Sequence, residues 1–405
     1  MRVAVVGSAL SGNKGAAAML ESVVRLVTDR RPDARFVLLS MYARSDEEAN
    51  THPNLAVLPA SAPRLLLLTC PAALLHRLAP RARRRVERAV PEVGVLTTAD
   101  VLLDQGGITF ADGRAKFLVY NLASVLPALL LGTPVVKCAQ ALGPFATPVN
   151  RLAARAVLPR MAAVVSRGAT THEHLQTLGL ENVTAGADLA FALEATDEGG
   201  PAAADPRDAS FFDGGHVVGV SPSAVLAKGG RAARERYVTE VVRMVDHLTE
   251  VRHRKVLLVA HSARARSRWW HNNDLPLCRA VHARVASPER VIFPDDELSA
   301  QGLRHLISRC EVFVASRFHA MVSALAVGVP VLVIGWSHKY GEVLDAFGVS
   351  EWAIAHGDYD HDVFVERFDA LVRRREQVRD AVVRALPAVR ALAVQQVDVI
   401  ERAAR

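Results

Sequence analysis

The sequence predicts an α/β protein built as two doubly wound, Rossmann-like domains, and three observations carry that prediction. Short β-rich apolar runs alternate with longer helical patterns from end to end, the rhythm of parallel sheets covered by helices on both faces. The rhythm breaks once, at Glu198–Gly215 (EGGPAAADPRDASFFDGG), a stretch dense in Gly, Pro and Asp that reads as an interdomain linker. The 405 residues then leave about 200 for each half, an ordinary domain size. The expected division is 1–197, a linker at 198–215, 216–358, and a helical segment at 359–405 that packs back on the N-terminal body. Doubly wound sheets bind ligands at the carboxyl ends of their strands, so the active site is expected in an interdomain cleft.

In the first half the expected strands are Val3–Val6, Phe36–Leu39, Leu55–Leu58, Val101–Leu103, Pro134–Cys138 and Val164–Ser166. In the second they are Val217–Val220, Val256–Val259, Val291–Phe293, Val312–Ala315 and Val331–Ile334. The uncharged run Phe117–Val136 is as long as a membrane span. It contains Asn121, Pro127, Gly132 and Pro134, and its second half turns strand-like, so it reads as a helix, a turn and a buried strand. The tail from His361 is helical in pattern with a break expected at Pro387.

Half of the residues are hydrophobic and 22% charged, which excludes a disordered chain. Aromatics are 5%, too few for a stacking platform on single-stranded nucleic acid. The net charge is +7, with most of the 49 cations spread along the chain, a balance that suits anionic small molecules or an anionic surface. Cys70, Cys138, Cys278 and Cys310 lie far apart with no CxxC pair, so neither a zinc site nor a disulfide framework is expected. The N-terminus runs directly into a strand and does not read as a signal peptide. A soluble, cytoplasmic enzyme is the expectation. Leu65–Leu78, followed by Arg81, Arg83, Arg84, Arg85 and Arg88, sets an apolar run beside a basic cluster. That pattern suits either an anionic membrane surface or a buried helix with a solvated neighbour.

Six blocks can carry chemistry. Ser8–Gly15 (SALSGNKG) lies between a strand and a helix, where glycines expose backbone N–H groups to oxyanions and sugar hydroxyls. Asp100–Gly113 delivers Asp104 at a strand end, either as a proton acceptor or as the cap of a turn. Cys138–Phe145 carries Gln140, a substrate contact or a loop brace. Arg167 follows the strand at Val164 and can hold a carboxylate or phosphate, although a lone Arg is more often a surface residue. Ser316–His319 is the densest block: Arg317 and His319 fall two apart at a helix start, with Lys339 after the next strand. A phosphate-bearing ligand suits that position, and His is the usual proton donor near neutral pH. His261 follows another strand, with Asp274 downstream as a possible N-cap and Trp269-Trp270 between them.

Taken together the blocks resemble the polysaccharide pyruvyl transferase family, in its colanic acid and amylovoran branch. The resemblance rests on Gly12-Asn13-Lys14-Gly15, Asp104 to Asp112, Gln140 to Phe145, Arg167, Asp188, His261 with Asp274, and Arg317-Phe318-His319 with Lys339. It covers the chain from Ser8 to about Gly348. In other branches an acid often follows the loop glycine, whereas Ala16 and Ala17 stand there in this chain and Glu21 lies a turn further on. The resemblance implies a glycosyltransferase B-type fold. It also implies transfer of pyruvate from phosphoenolpyruvate, as co-substrate, onto two hydroxyls of a sugar or lipid-linked saccharide, giving a cyclic ketal and phosphate with no metal or other cofactor. On that scheme Arg167, Arg317, Lys339 and His261 face the donor. His319 protonates its methylene, Asp104 takes a hydroxyl proton, and Gly12, Asn13, Gly15 and Gln140 face the acceptor. No nucleic-acid partner is expected.

Three rivals stay open. A glycosyltransferase of the same fold would need a carboxylate for the nucleotide ribose, for which Glu297 and Glu342 are available. A scaffold protein that lost the reaction would keep the fold alone. A pyruvyl transferase acting on a small specialised metabolite would keep the donor site and change the acceptor.

Overall fold

The computed structural model describes residues 1–195, 210–265, 267, 270, 272–295, 297–337 and 339–404. The chain forms two compact units. One comprises Met1–Ser11, Met19–Ala192 and Arg390–Arg405, and the other Gly12–Ala18 and Leu193–Val389.

The first unit holds strands β1 (Arg2–Val6), β2 (Arg35–Ser40), β3 (Leu55–Pro59), β4 (Val101–Asp104), β5 (Ile108–Ala111), β6 (Val135–Gly143), β7 (Ala163–Ser166) and β8 (Val183–Ala185). They lie in the order β3-β2-β1-β4-β6-β7-β8, with β5 paired to β6, and every pairing is parallel. The second unit holds β9 (Val217–Ser221), β10 (Lys255–Leu258), β11 (Val291–Ile292), β12 (Val312–Ala315), β13 (Val331–Gly335) and β14 (Ala353–Ala355), again all parallel, in the order β11-β10-β9-β12-β13-β14. The strands are apolar on both faces because helices cover both: Val5, Leu38, Leu102 and Val164 in the first sheet, and Val218, Leu257, Val314 and Leu332 in the second, are fully or almost fully buried.

Each sheet reverses its strand order once, between β1 and β4 and between β9 and β12. At such a reversal the connections leave toward opposite faces and open a crevice at the carboxyl ends. In the first sheet Val6 and Asp104 are register partners at that point, and in the second Ser221 and Ala315. The fold therefore delivers Asp104, Ser316 and Arg317 to the two crevices.

Ten of the eleven strands expected from sequence are present within a residue or two. β5, β8 and β14, each of three or four residues, were not expected. The strand expected to end at Cys138 continues to Gly143 with all nine residues buried, because β5 lies alongside it, with Ile108 opposite Ala141 and Ala111 opposite Gly143. The run Phe117–Val136 forms the helix Leu118–Leu131, closed by Gly132 at a φ of 81° that glycine adopts without strain, and then β6. Among the described residues no helix is long and apolar enough to cross a membrane. Residues 198–209 of the expected linker lie outside the described residues. Its last residues are built into the second unit, where Phe212 is buried and the Lys255 ammonium donates to the Phe211 carbonyl at 2.7 Å.

The C-terminal helices are His361–Arg373, Arg375–Val394 and Gln396–Ala403. The middle one runs through Pro387, where a break was expected. The carbonyl that Pro387 leaves without a donor is that of Val383, an exposed residue within reach of water. The segment Arg390–Arg405 belongs to the first unit. There Gln396 accepts from the Ala139 amide at 2.8 Å and donates to the Ala187 carbonyl at 2.7 Å, with Val397 and Ile400 buried. Residues 361–389 belong to the second.

Candidate active site

The glycine loop is fastened at two places. Its first half is held within the first unit by Asp46, whose buried carboxylate accepts from the Leu10 amide at 3.1 Å, the Ser11 amide at 2.7 Å and the Ser11 hydroxyl at 2.6 Å. From Gly12 onward the loop is part of the second unit. The Gly12 amide donates to Glu297 at 2.7 Å, and the Lys14 ammonium reaches the same Glu297 oxygen at 3.1 Å. The Gly12 carbonyl accepts from Ala263, Asn13 bridges to Ser262, and the Lys14 amide donates to the His261 carbonyl at 3.3 Å. Asn13 caps the helix Lys14–Arg30, its side chain accepting from the Gly15 amide at 3.1 Å.

Glycine is required at two positions of this loop. At Gly12, with φ 73°, a Cβ would lie 2.5 Å from the Arg264 guanidinium carbon, and at Gly15 it would lie 1.9 Å from His319 Cγ. The His319 ring thus packs directly on the Gly15 backbone. His319 is the second residue of the helix Phe318–Ala326, and its ring meets Phe318 edge-on at 5.0 Å.

His261 is buried, with Nε2 3.0 Å from the Ser323 hydroxyl. Burial pushes its pKa well below the ordinary 6.5, and the charges of His319, Arg317, Arg304 and Lys14 push it further down. The ring is therefore a neutral imidazole at neutral pH. Arg317 is spoken for on one side. Its Nε and Nη2 donate to Asp274 at 2.7 and 2.8 Å, a bidentate pair. Asp274 also accepts from the Ala224 and Ser262 amides at 2.8 and 3.0 Å, so one buried carboxylate ties together the loops after β9, β10 and β12. Burial alone would lower the Arg317 pKa; the Asp274 carboxylate outweighs it and the net shift is upward. Asp274 does not use its side chain as a helix cap, the alternative raised by the sequence. Lys339 starts the helix Lys339–Phe347 with its ammonium over the rings of Phe318, Trp336 and Tyr340 at 4.5, 4.8 and 5.5 Å. His261, Arg317, His319 and Lys339 thus share one unit with Gly12, Asn13 and Gly15. Trp269 lies outside the described residues.

The other expected site residues belong to the first unit. Asp104, at the end of β4, forms a buried ion pair with Lys137 and accepts from the Gly106 amide at 3.0 Å and from Gln140 Nε2 at 3.2 Å. Gln140 is fully buried inside β6 and not on a loop. It donates to the Asp104 carbonyl at 2.5 Å and accepts from the Thr109 hydroxyl at 2.6 Å. Gly7, at φ 79°, makes room for this cluster, since a Cβ there would meet the Gly106 amide at 2.8 Å. Arg167 is buried 3.3 Å from Asp188. Asp112 accepts from the Ala146 and Thr147 amides, the Thr147 hydroxyl and Asn150, bonds that outweigh partial burial and lower its pKa while pinning the loop after β6.

The Gly12–Gly15 loop, expected in the N-terminal domain together with Gln140, belongs to the second unit, while Gln140 belongs to the first. Arg167 is in the first unit and Arg317, His261 and Lys339 are in the second, in line with the expected division. Sequence reasoning named Lys14 in the glycine-loop motif without giving it a role, and missed Arg304 and Lys137. Lys137 did carry a signal, a single charge inside the apolar run Val135-Val136-Lys137-Cys138. Arg304 carried none, since its role depends on its buried donation to the Leu193 carbonyl. Among the described residues no three His, Cys, Asp or Glu side chains gather as a metal site would require.

Comparison with known proteins adds a family and a fold. A family described as polysaccharide pyruvyl transferase matches residues 13–338. The chain is 22% identical over 414 positions to the amylovoran biosynthesis protein AmsJ of Erwinia amylovora, covering 97% of each. Among solved structures, S. aureus MnaA with UDP gives a TM-score of 0.63 at 12% identity, covering 98% of this chain and 94% of that one. Anabaena HepE in complex with UDP-glucose gives 0.53 at 14%, covering 100% and 98%. The α,α-trehalose-phosphate synthase (UDP-forming) of Burkholderia vietnamiensis gives 0.56 at 11%, covering 99% and 98%. At such identities the likeness establishes the fold alone, the two-sheet glycosyltransferase B type.

Proposed function

This chain belongs to the polysaccharide pyruvyl transferase family, and we propose from that premise that it moves pyruvate from phosphoenolpyruvate onto two hydroxyls of a saccharide as a cyclic ketal. The observation that carries the proposal is the cationic neighbourhood of His261, where Lys14, Arg304, Arg317 and His319 act on one buried ring. A donor bearing both a phosphate and a carboxylate needs several cations held in place, and their charge also stabilises phosphate as it leaves. The Gly12–Gly15 loop, placed with these groups by its bonds to Glu297, Ser262 and His261, is assigned to the donor and not to the acceptor.

The chemistry balances as follows. His319 gives a proton to the donor methylene, which becomes the methyl group, and C2 accepts the first sugar hydroxyl oxygen. The second hydroxyl oxygen then bonds to C2 as the bond from C2 to the phosphate oxygen breaks. Of the two hydroxyl protons, one restores His319 and the other leaves on the phosphate. Asp104 was the expected base. Its oxygens already face Lys137, Gln140 and the Gly106 amide, so we assign it to positioning the ends of β4 and β6. Arg317, paired with Asp274, holds the strand-end loops and presents the site's positive field.

The test is phosphate release from phosphoenolpyruvate in the presence of saccharide acceptors. His319→Gln is expected to lose on the order of 10²- to 10⁴-fold in turnover while keeping its melting temperature. Turnover of a nucleotide sugar without phosphoenolpyruvate would replace this reading with a glycosyltransferase. Glu297, which that rival would use for the ribose, is engaged with the Gly12 amide and Lys14.

A further inference from the structure

A second surface of the first unit stands apart from this chemistry and does not depend on it. The π-helical turn Leu65–Thr69 leads into the helix Cys70–Leu78, followed by the helix Arg83–Ala89. The inner side of this hairpin is packed: Ala73, Val86, Val90 and Val93 form one buried cluster. The outer side is apolar as well. Leu67 is 74% exposed, Leu75 50% and Leu78 71%, with Leu66, Leu68 and Leu74 also exposed. Leu67, Leu74, Leu75 and Leu78 stand at helical spacing, so they form one stripe along the outer face.

Charge is concentrated beside the stripe. Residues 62–90 contain seven Arg against one acid, Glu87, a net +6 out of +7 for the whole chain. Arg77, Arg81, Arg83, Arg84, Arg85 and Arg88 are exposed. Glu87 is turned onto His76, 2.8 Å away. The hairpin is also ordered in advance. Arg83 Nε donates to the His76 carbonyl and Arg77 Nη1 to the Leu130 carbonyl, each at 3.2 Å.

We propose that this hairpin docks on an anionic phospholipid surface, with the leucine stripe in the interface and the arginines on the head groups. Exposed leucines beside a dense positive charge meet the two requirements of an interfacial helix at once, apolar burial and attraction to anionic lipid. A symmetric contact with a second copy fits poorly, because it would set the arginine cluster against itself. A polyanion without an apolar phase would leave the leucines in water.

The full chain is incubated with vesicles of phosphatidylcholine alone and of phosphatidylcholine mixed with phosphatidylglycerol, and sedimented. Binding is expected to the mixed vesicles only, and to weaken as salt is raised. Leu67→Glu with Leu78→Glu, and separately Arg81→Gln with Arg84→Gln and Arg85→Gln, are each expected to weaken it at least about tenfold with unchanged melting. Equal binding to neutral vesicles, or full binding by the leucine variant, overturns the proposal. So does a wild-type dimer that the leucine variant dissociates without any vesicle binding, which would make the face a self-contact.

Discussion

Asp274 and Arg317 illustrate what a single residue does in this molecule. Removing the carboxylate charge leaves a guanidinium buried without its counter-ion, so Asp274→Asn is expected to cost about 3–5 kcal/mol in urea unfolding. A loss within experimental error would mean that the pair does not hold the loops. His261 sets a pH dependence. The unfolded ring titrates near 6.5, and the folded one takes its proton only at lower pH. Between those values the unfolded chain binds more protons, so stability is full above about pH 6.5 and falls as the pH drops, by up to about 1.4 kcal/mol per unit. His261→Gln keeps a partner for Ser323 and should flatten that slope; an unchanged acid limb would assign it to other groups. Gly15→Ala is compatible with a helix start, so its cost should come from displacing His319. If His319 is the proposed acid, turnover should fall at least about tenfold, as its misplacement predicts, and unchanged turnover would contradict that role or separate Gly15 from His319.

At the scale of elements, β4 and β6 carry a buried polar cluster where the first sheet reverses. Asp104→Asn alone leaves the Lys137 charge buried, and Lys137→Met alone leaves the Asp104 charge, each expected to cost about 3–5 kcal/mol. The double variant should recover much of that loss; strict additivity in a double-mutant cycle would contradict the coupling. Most of the strands were legible because fully buried parallel strands are written as unbroken apolar runs, as in Val312–Ala315 and Val331–Gly335. β5, β8 and β14 were not: Thr109 and Thr184 interrupt the first two and β14 is only Ala-Ile-Ala with one buried residue, and the extension of β6 depends on β5 lying beside it, which no local pattern records. Asp104, Arg317 and His319 could be read from their place after strands. The partner each takes could not: Lys137 faces Asp104 only once β6 pairs with β4, Asp274 reaches Arg317 from a distant loop, and His319 packs on Gly15.

For the whole molecule, two units of similar build and size exchange short pieces of the chain. Seven residues, Gly12–Ala18, spanning the end of the glycine loop and the start of the helix Lys14–Arg30, belong with the second unit, and the last 16 residues belong with the first. This exchange puts Lys14 and Gly15 among His261, Arg304, Arg317 and His319, and it supports placing the donor in the second unit. The central claim is that this cationic cluster binds phosphoenolpyruvate, and calorimetric titration of the full chain tests it most directly. Phosphoenolpyruvate is expected to bind, raising stability by about 2.7 kcal/mol when its concentration is a hundred times the dissociation constant. Lys14→Met is expected to weaken binding about tenfold or more, since a charge-assisted contact is worth about 1.5–3 kcal/mol. Binding of UDP or GDP with none of phosphoenolpyruvate, or phosphoenolpyruvate binding indifferent to Lys14, would contradict it.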